Sequence, residues 1–237
     1  MKTLGVIGGL GPMATAYFLQ LITEMTDATT DQEHIEVLIH SKPSIPDRTG
    51  FILHQTDKNP LPDMIAVGKS LASRGADILA IPCITAHYFQ QELENQIGIP
   101  IINALTETAA YLKERNIHKA GIMATDGTVQ SGIFQSTLHS YGLETCIPTP
   151  DNQQKVMHLI YNNIKSGNPI ELPLFNEISE DLFSQGADVI LLGCTELSLI
   201  KNHAPLPNGY LDVMEVLARK SVLSCGHLRN KYNELIT

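Results

Sequence analysis

The sequence predicts an α/β protein built from two similar, duplicated domains with mainly parallel sheets. Three observations predict it. Short apolar runs, at residues 3–7, 35–39, 78–81, 101–102, 120–124 and 189–192, alternate with longer segments of helical periodicity, at 14–26, 62–74, 106–115, 156–166 and 177–185. Strands separated by helices require crossover connections, which give parallel sheets covered by helices. The chain also carries an internal repeat, and at 237 residues it is long enough for one large domain or two small ones.

The repeat sets the domain organisation. Gly75-Ala76-Asp77-Ile78-Leu79-Ala80-Ile81-Pro82-Cys83-Ile84-Thr85 matches Gly186-Ala187-Asp188-Val189-Ile190-Leu191-Leu192-Gly193-Cys194-Thr195-Glu196 at an offset of 111 with no gap. Each copy runs from Gly-Ala-Asp through an apolar strand to a cysteine. A weaker echo pairs residues 2–9 with 119–127, each a strand leading into a glycine-containing turn. Each half therefore offers one cysteine from the C-terminal end of a strand, where ligands bind in open α/β sheets. The boundary is expected near Asn103. Residues 1–103 form the first domain, rejoined by 207–237 (a strand-like start at 209–211, then a helix), and 104–206 form the second.

The matched cysteines carry the chemistry. A single strand-end cysteine is usually a buried structural residue, but two at equivalent positions of a repeat point to a shared task. Inverting a stereocentre needs a base on one face of the carbon and an acid on the other. Two thiols, one ionised and one protonated, supply both, and a thiol of ordinary pKa near ~8.5 exchanges these roles at modest cost. Cys146 and Cys225 have no repeat partner and read as structural. His87 lies four residues after Cys83 and reads as a neighbour rather than a base.

Other motifs are weaker. Gly9-Leu10-Gly11-Pro12-Met13-Ala14 matches a dinucleotide fingerprint after a strand, but the next strand ends Ile39-His40-Ser41-Lys42-Pro43 without the carboxylate that would hold a ribose. A tight strand-to-helix turn, with Pro12 at the first helical position, is the plainer account. In Pro46-Asp47-Arg48-Thr49, Arg48 is either half of a solvated pair or a two-pronged carboxylate clamp. Lys165, read alone, is an ordinary helix-end lysine.

Composition excludes several classes. The formal net charge of −9 argues against a nucleic-acid or membrane-surface partner. There is no uncharged apolar run long enough for a membrane span, and the first strand is too short for a signal-peptide core, so a cytoplasmic protein is expected. The four cysteines include no CxxC pair and no histidine at zinc-finger spacing, which argues against a structural zinc or a disulfide scaffold.

The motifs taken together resemble the aspartate/glutamate racemase family, most closely its aspartate racemases, over nearly the whole chain. The resemblance runs through Gly8-Gly9-Leu10-Gly11-Pro12, Asp31-Gln32-Glu33-His34, Pro46-Asp47-Arg48-Thr49, Pro82-Cys83 with Thr85-Ala86-His87, Ala124-Thr125 with Gly127-Thr128, Ile160-Tyr161 with Lys165-Ser166-Gly167-Asn168, Gly193-Cys194-Thr195-Glu196 and Asp212-Val213-Met214-Glu215-Val216. It implies a pyridoxal-phosphate-independent, metal-free racemase acting on an acidic amino acid, with its site in the cleft between the two domains, commonly as a homodimer. It assigns Cys83 and Cys194 as the acid/base pair. Arg48 and Lys165 would hold the side-chain carboxylate, and Thr49, Thr85, Thr128 and Thr195 would line the pocket. The family pattern after the first cysteine is Asn-Thr; here it is Ile84-Thr85, and isoleucine cannot donate a hydrogen bond to the substrate's backbone carboxylate. The neighbouring possibilities are glutamate or broad-specificity racemization, maleate isomerization, or a degenerate member that only binds an acidic amino acid.

Overall fold

The computed structural model describes residues 2–202 and 205–237, and it is α/β with two parallel sheets. In chain order the first half contains β1 (Leu4–Gly8), α1 (Pro12–Met25), β2 (Val37–Ser41), α2 (Arg48–Ile52), α3 (Leu61–Ser73), β3 (Ile78–Ala80), a 3-10 turn (Ile84–Phe89) and α4 (Gln90–Ile97). The second half contains α5 (Ala104–Glu114), β4 (Lys119–Met123), α6 (Asp126–Ser131), α7 (Ile133–Ser140), β5 (Glu144–Cys146), α8 (Pro150–His158), a π-helical turn (Leu159–Ile164), α9 (Leu172–Ser184), β6 (Val189–Leu192), α10 (Thr195–Ser198), β7 (Tyr210–Asp212) and α11 (Val213–Cys225).

The residues group into two compact units, one of 2–104 with Glu215–Leu235 and one of Leu105–Met214 with Ile236–Thr237. The first holds a three-stranded sheet of order β2-β1-β3 and the second a four-stranded sheet of order β5-β4-β6-β7, all pairs parallel. The shared order is the repeat made visible, with the first strand of each unit flanked by the two strands that follow it in the chain. The segment after residue 207, read from the sequence as one piece returning to the first domain, is divided. β7 pairs with β6 through Ile190↔Tyr210, Leu191↔Leu211 and Leu192↔Asp212, so it lies in the second sheet. The following tail lies with the first unit, where the Arg229 side chain donates to the carbonyls of Thr26 and Ala28 at the end of α1.

The repeated Gly-Ala-Asp has a local purpose. Gly75 and Gly186 adopt positive φ (98° and 87°) just after α3 and α9, where a side chain would be strained. The next residue's N–H then reaches back into the helix, from Ala76 to Leu71 O and from Ala187 to Leu182 O. Asp77 Oδ2 accepts from the Thr3 N–H (2.7 Å), and Asp188 Oδ2 accepts from those of His118 and Lys119 (2.9 Å each). Each aspartate thus ties its strand to the start of the central one. Beneath the sheets lie separate apolar cores, including Ile7, Met64, Leu71, Leu79 and Leu93 in the first unit and Val156, Phe175, Ile178, Leu182 and Ile190 in the second. Each such burial contributes about 1.5–3 kcal/mol relative to exposure.

Several expected elements shift. β2 begins at Val37 rather than 35, because Ile35 leaves the sheet line and packs beside Gly226 of the tail. The expected strand at 101–102 is a single bridge, Leu79↔Ile101, cut short by Pro100 before it and by α5 after it. The helix expected over 156–166 starts earlier, at Pro150, and ends in the π turn. β5 was invisible to apolar patterning because it reads Glu-Thr-Cys. No helix among the described residues is long and apolar enough to cross a membrane.

Candidate active site

The two cysteines occupy equivalent local structures. β3 ends three residues before Cys83 and β6 two before Cys194, and each cysteine sits in extended conformation (φ −153°, ψ 103° at Cys83; φ −138°, ψ 133° at Cys194) and caps a short helical turn. Extended backbone at a strand end turns the chain sharply into the following helix. Both are free thiols, each only 6% exposed.

In the first unit, Ile84 and Thr85 open the 3-10 turn, and both are buried. α2, which carries Arg48 and Thr49, packs on this turn through Phe51 and Phe89, whose ring centroids lie 6.0 Å apart. Asp47 caps α2 by accepting from the Gly50 N–H at 2.6 Å. Arg48 is buried, and its guanidinium donates to Pro46 O (3.0 Å) and Leu10 O (3.2 Å). These carbonyls fix a positive charge at the end of the glycine loop. The loop itself is a strand-to-helix turn: the Gly9 N–H donates to Thr15 Oγ1 (2.9 Å), which in turn donates to Gly11 O, and Pro12 opens α1. His87 is buried beneath the turn with Nδ1 3.0 Å from Gln90 Oε1, and burial pushes its pKa down to about 4. It is a neutral, structural neighbour at pH 7.

In the second unit, Cys194, Thr195, Glu196 and Lys165 converge. Cys194 Sγ donates to Glu196 Oε2 at 2.9 Å, and Thr195 Oγ1 donates to the same oxygen at 3.3 Å. Lys165 Nζ lies 3.9 Å from Glu196 Oε1 and 4.0 Å from the Tyr161 ring centroid. Burial, and then the Glu196 carboxylate, push the Cys194 thiol well above its ordinary range, while the Lys165 ammonium pulls it the other way. Lys165 follows the π turn, where its N–H bonds back to Ile160 O. The turn's extra residue sets the face that Lys165 shares with Tyr161. Thr128 lies on α6, its hydroxyl 3.2 Å from that of Thr125, the helix cap.

Glu196 and Tyr161 had appeared in the sequence only as members of longer motifs, and nothing in their spacing marked them. Cys146 and Cys225 are buried elsewhere, and burial raises both thiols. Among the described residues no three His, Cys, Asp or Glu side chains are grouped to hold a metal ion.

Comparison with known proteins extends this picture. Residues 7–220 match the family model described as Asp/Glu/Hydantoin racemase. The broad specificity amino-acid racemase RacX of Bacillus subtilis (strain 168) is 27% identical over 225 residues, covering 92% of this chain and 96% of that protein. The solved aspartate racemase of Picrophilus torridus is 30% identical with a TM-score of 0.81, covering 98% of both chains. A glutamate racemase from Francisella tularensis subsp. tularensis SCHU S4, solved in complex with D-glutamate, shares the fold at 15% identity and a TM-score of 0.69, covering 94% of this chain and 80% of that one. The chain belongs to the Asp/Glu/hydantoin racemase family and is, in class, an amino-acid racemase.

Proposed function

We propose that this enzyme interconverts the L and D forms of an acidic amino acid, aspartate first, by two-base proton transfer without pyridoxal phosphate or a metal. The observation that carries the reading is the pair of equivalent cysteine turns, one per unit, each thiol buried at a strand end. One thiolate removes the Cα proton, and the other residue, as thiol, delivers a proton to the opposite face. The roles exchange for the reverse direction. The difficult step is forming a carbanion beside a carboxylate, so fixed donors and cations must receive the developing charge. Arg48 and Lys165 are assigned to the side-chain carboxylate. Thr49, Thr85, Thr128 and Thr195 supply hydroxyls, and Ile84 borders the backbone carboxylate. The Picrophilus torridus aspartate racemase supports the choice of aspartate.

Broad specificity is the second reading. Ile84 offers no hydrogen bond where the family pattern has an asparagine, and the Bacillus subtilis relative is named for broad specificity. The test is incubation with a panel of L-amino acids in D₂O, with chiral chromatography and mass detection of Cα exchange. Aspartate turning over fastest, with one deuterium in the product enantiomer, is the expected result. Faster turnover of neutral amino acids moves the assignment to broad specificity, and no exchange with any of them refutes the racemase mechanism.

A further inference from the structure

We infer that Glu196 is a positioning residue for the second thiol: its carboxylate holds Cys194 in the protonated form and aims the S–H, so the resting enzyme presents Cys194 as acid and leaves Cys83 to take the first proton. This rests on the two-cysteine reading and adds to it an ordered starting state.

The argument is geometric. Glu196 is two residues from Cys194 and, although a carboxylate, is almost wholly buried. Desolvating such a charge is costly, and it persists only where partners satisfy it. Three partners reach it: Cys194 Sγ and Thr195 Oγ1 both donate to Oε2, and the Lys165 ammonium stands 3.9 Å from Oε1. The thiol proton thus points along a 2.9 Å line into a negative charge. Ionising Cys194 would place two anions in contact, offset among the described residues by the Lys165 ammonium, and the carboxylate therefore stabilises S–H over S⁻. The first repeat has no carboxylate there, since the residue equivalent to Glu196 at the offset of 111 is Thr85. The equivalent position after the strand-end cysteine thus carries a carboxylate in one half and a hydroxyl in the other.

The proton balance is simple. In the resting form the proton resides on Sγ of Cys194. It passes to the substrate carbanion as Cys83 receives the Cα proton, and it returns when the opposite enantiomer is processed or when solvent re-equilibrates the thiols. Among the described residues, the charged groups that act on Cys194 are Glu196 and Lys165.

The experiment titrates Cys194 directly. Ultraviolet thiolate absorbance is followed against pH for the wild type and for Glu196→Gln, each corrected by the same protein carrying Cys194→Ser. Glu196→Gln should raise the Cys194 thiolate fraction at a fixed pH by about tenfold, one pH unit. It should also lower kcat more than it changes KM, and move the pH–kcat profile to lower pH. Glu196→Asp, which keeps the charge but withdraws it, should shift the titration in the same direction by less and recover part of kcat. An unchanged Cys194 titration in both folded variants overturns the inference. Wild-type racemization by Cys194→Ser overturns the two-cysteine reading instead, and it leaves the titration result standing as a statement about the contact alone.

Discussion

The two cysteine turns share a backbone and differ in chemistry. Cys83 follows β3 and is succeeded by Ile84, Thr85 and Ala86, with neutral His87 locked against Gln90 below. Cys194 follows β6 and is succeeded by Thr195 and Glu196, with Lys165 brought in by the π turn. Duplication gave both halves the same place for a thiol. The residues one to three positions further on, together with one distant lysine, decide which groups surround each thiol. A repeated scaffold thereby carries two unlike cysteine surroundings, and the proposed mechanism asks for one acid and one base.

The largest expected effect tests whether the pair is a pair. Cys83→Ser and Cys194→Ser should each reduce racemization by about a hundred- to ten-thousandfold, the usual worth of general acid–base catalysis. Each single variant should still eliminate HX from a β-halo amino acid, a reaction that needs one base only. Chiral assay against elimination assay separates the two. Full racemization by either variant would leave one half of the comparison without a catalytic meaning.

A smaller effect probes the residue after each cysteine. Ile84 is 2% exposed and apolar where the second repeat has Thr195. Ile84→Asn should raise kcat/KM for aspartate by about tenfold, the value of one charge-assisted hydrogen bond. A fall in activity on the best substrate would mean that the asparagine amide is buried unpaired in a pocket shaped for another ligand, and aspartate would be withdrawn as the substrate.

The smallest effect compares the structural ends of the repeats. Asp188 accepts two backbone N–H bonds where Asp77 accepts one, and both side chains are solvent-exposed. Asp188→Ala should therefore cost more stability than Asp77→Ala, by about 1 kcal/mol once solvent screening is allowed for. The Lys119 and His118 N–H groups hold the Asp188 carboxyl below its ordinary range. The folded state thus binds its proton less readily than the unfolded chain. The contribution is complete above the unfolded value, near ~3.9, and is lost as pH falls through the folded one. Urea unfolding of wild type and Asp188→Ala should accordingly differ at pH 6 and converge in acid. An equal gap at every pH would assign the loss to backbone propensity rather than to the carboxylate.

The sequence by itself determined the α/β class, the two sheets and the equivalence of the cysteines, because these depend on local patterns. Apolar runs of strand length, helical periodicity and a gapless repeat are readable one segment at a time, and β3 and β6 fall where the Gly-Ala-Asp copies say. The register of β2, the loss of a full strand at 101–102 and the allegiance of β7 depend on what packs nearby. Ile35 meets Gly226, Ile101 reaches only Leu79, and Tyr210–Asp212 finds β6. The surroundings of Cys194 are of the same kind. Nothing in the spacing says that Lys165, 31 positions upstream, comes to Glu196, because the π turn that aims it changes the phase of the helix. Nor does spacing say that the carboxylate is buried, and burial is what turns an adjacent glutamate into a partner that governs a thiol. Local pattern fixed where the thiols stand, and tertiary packing decided the charge each one meets, because electrostatic strength depends on which groups exclude water together.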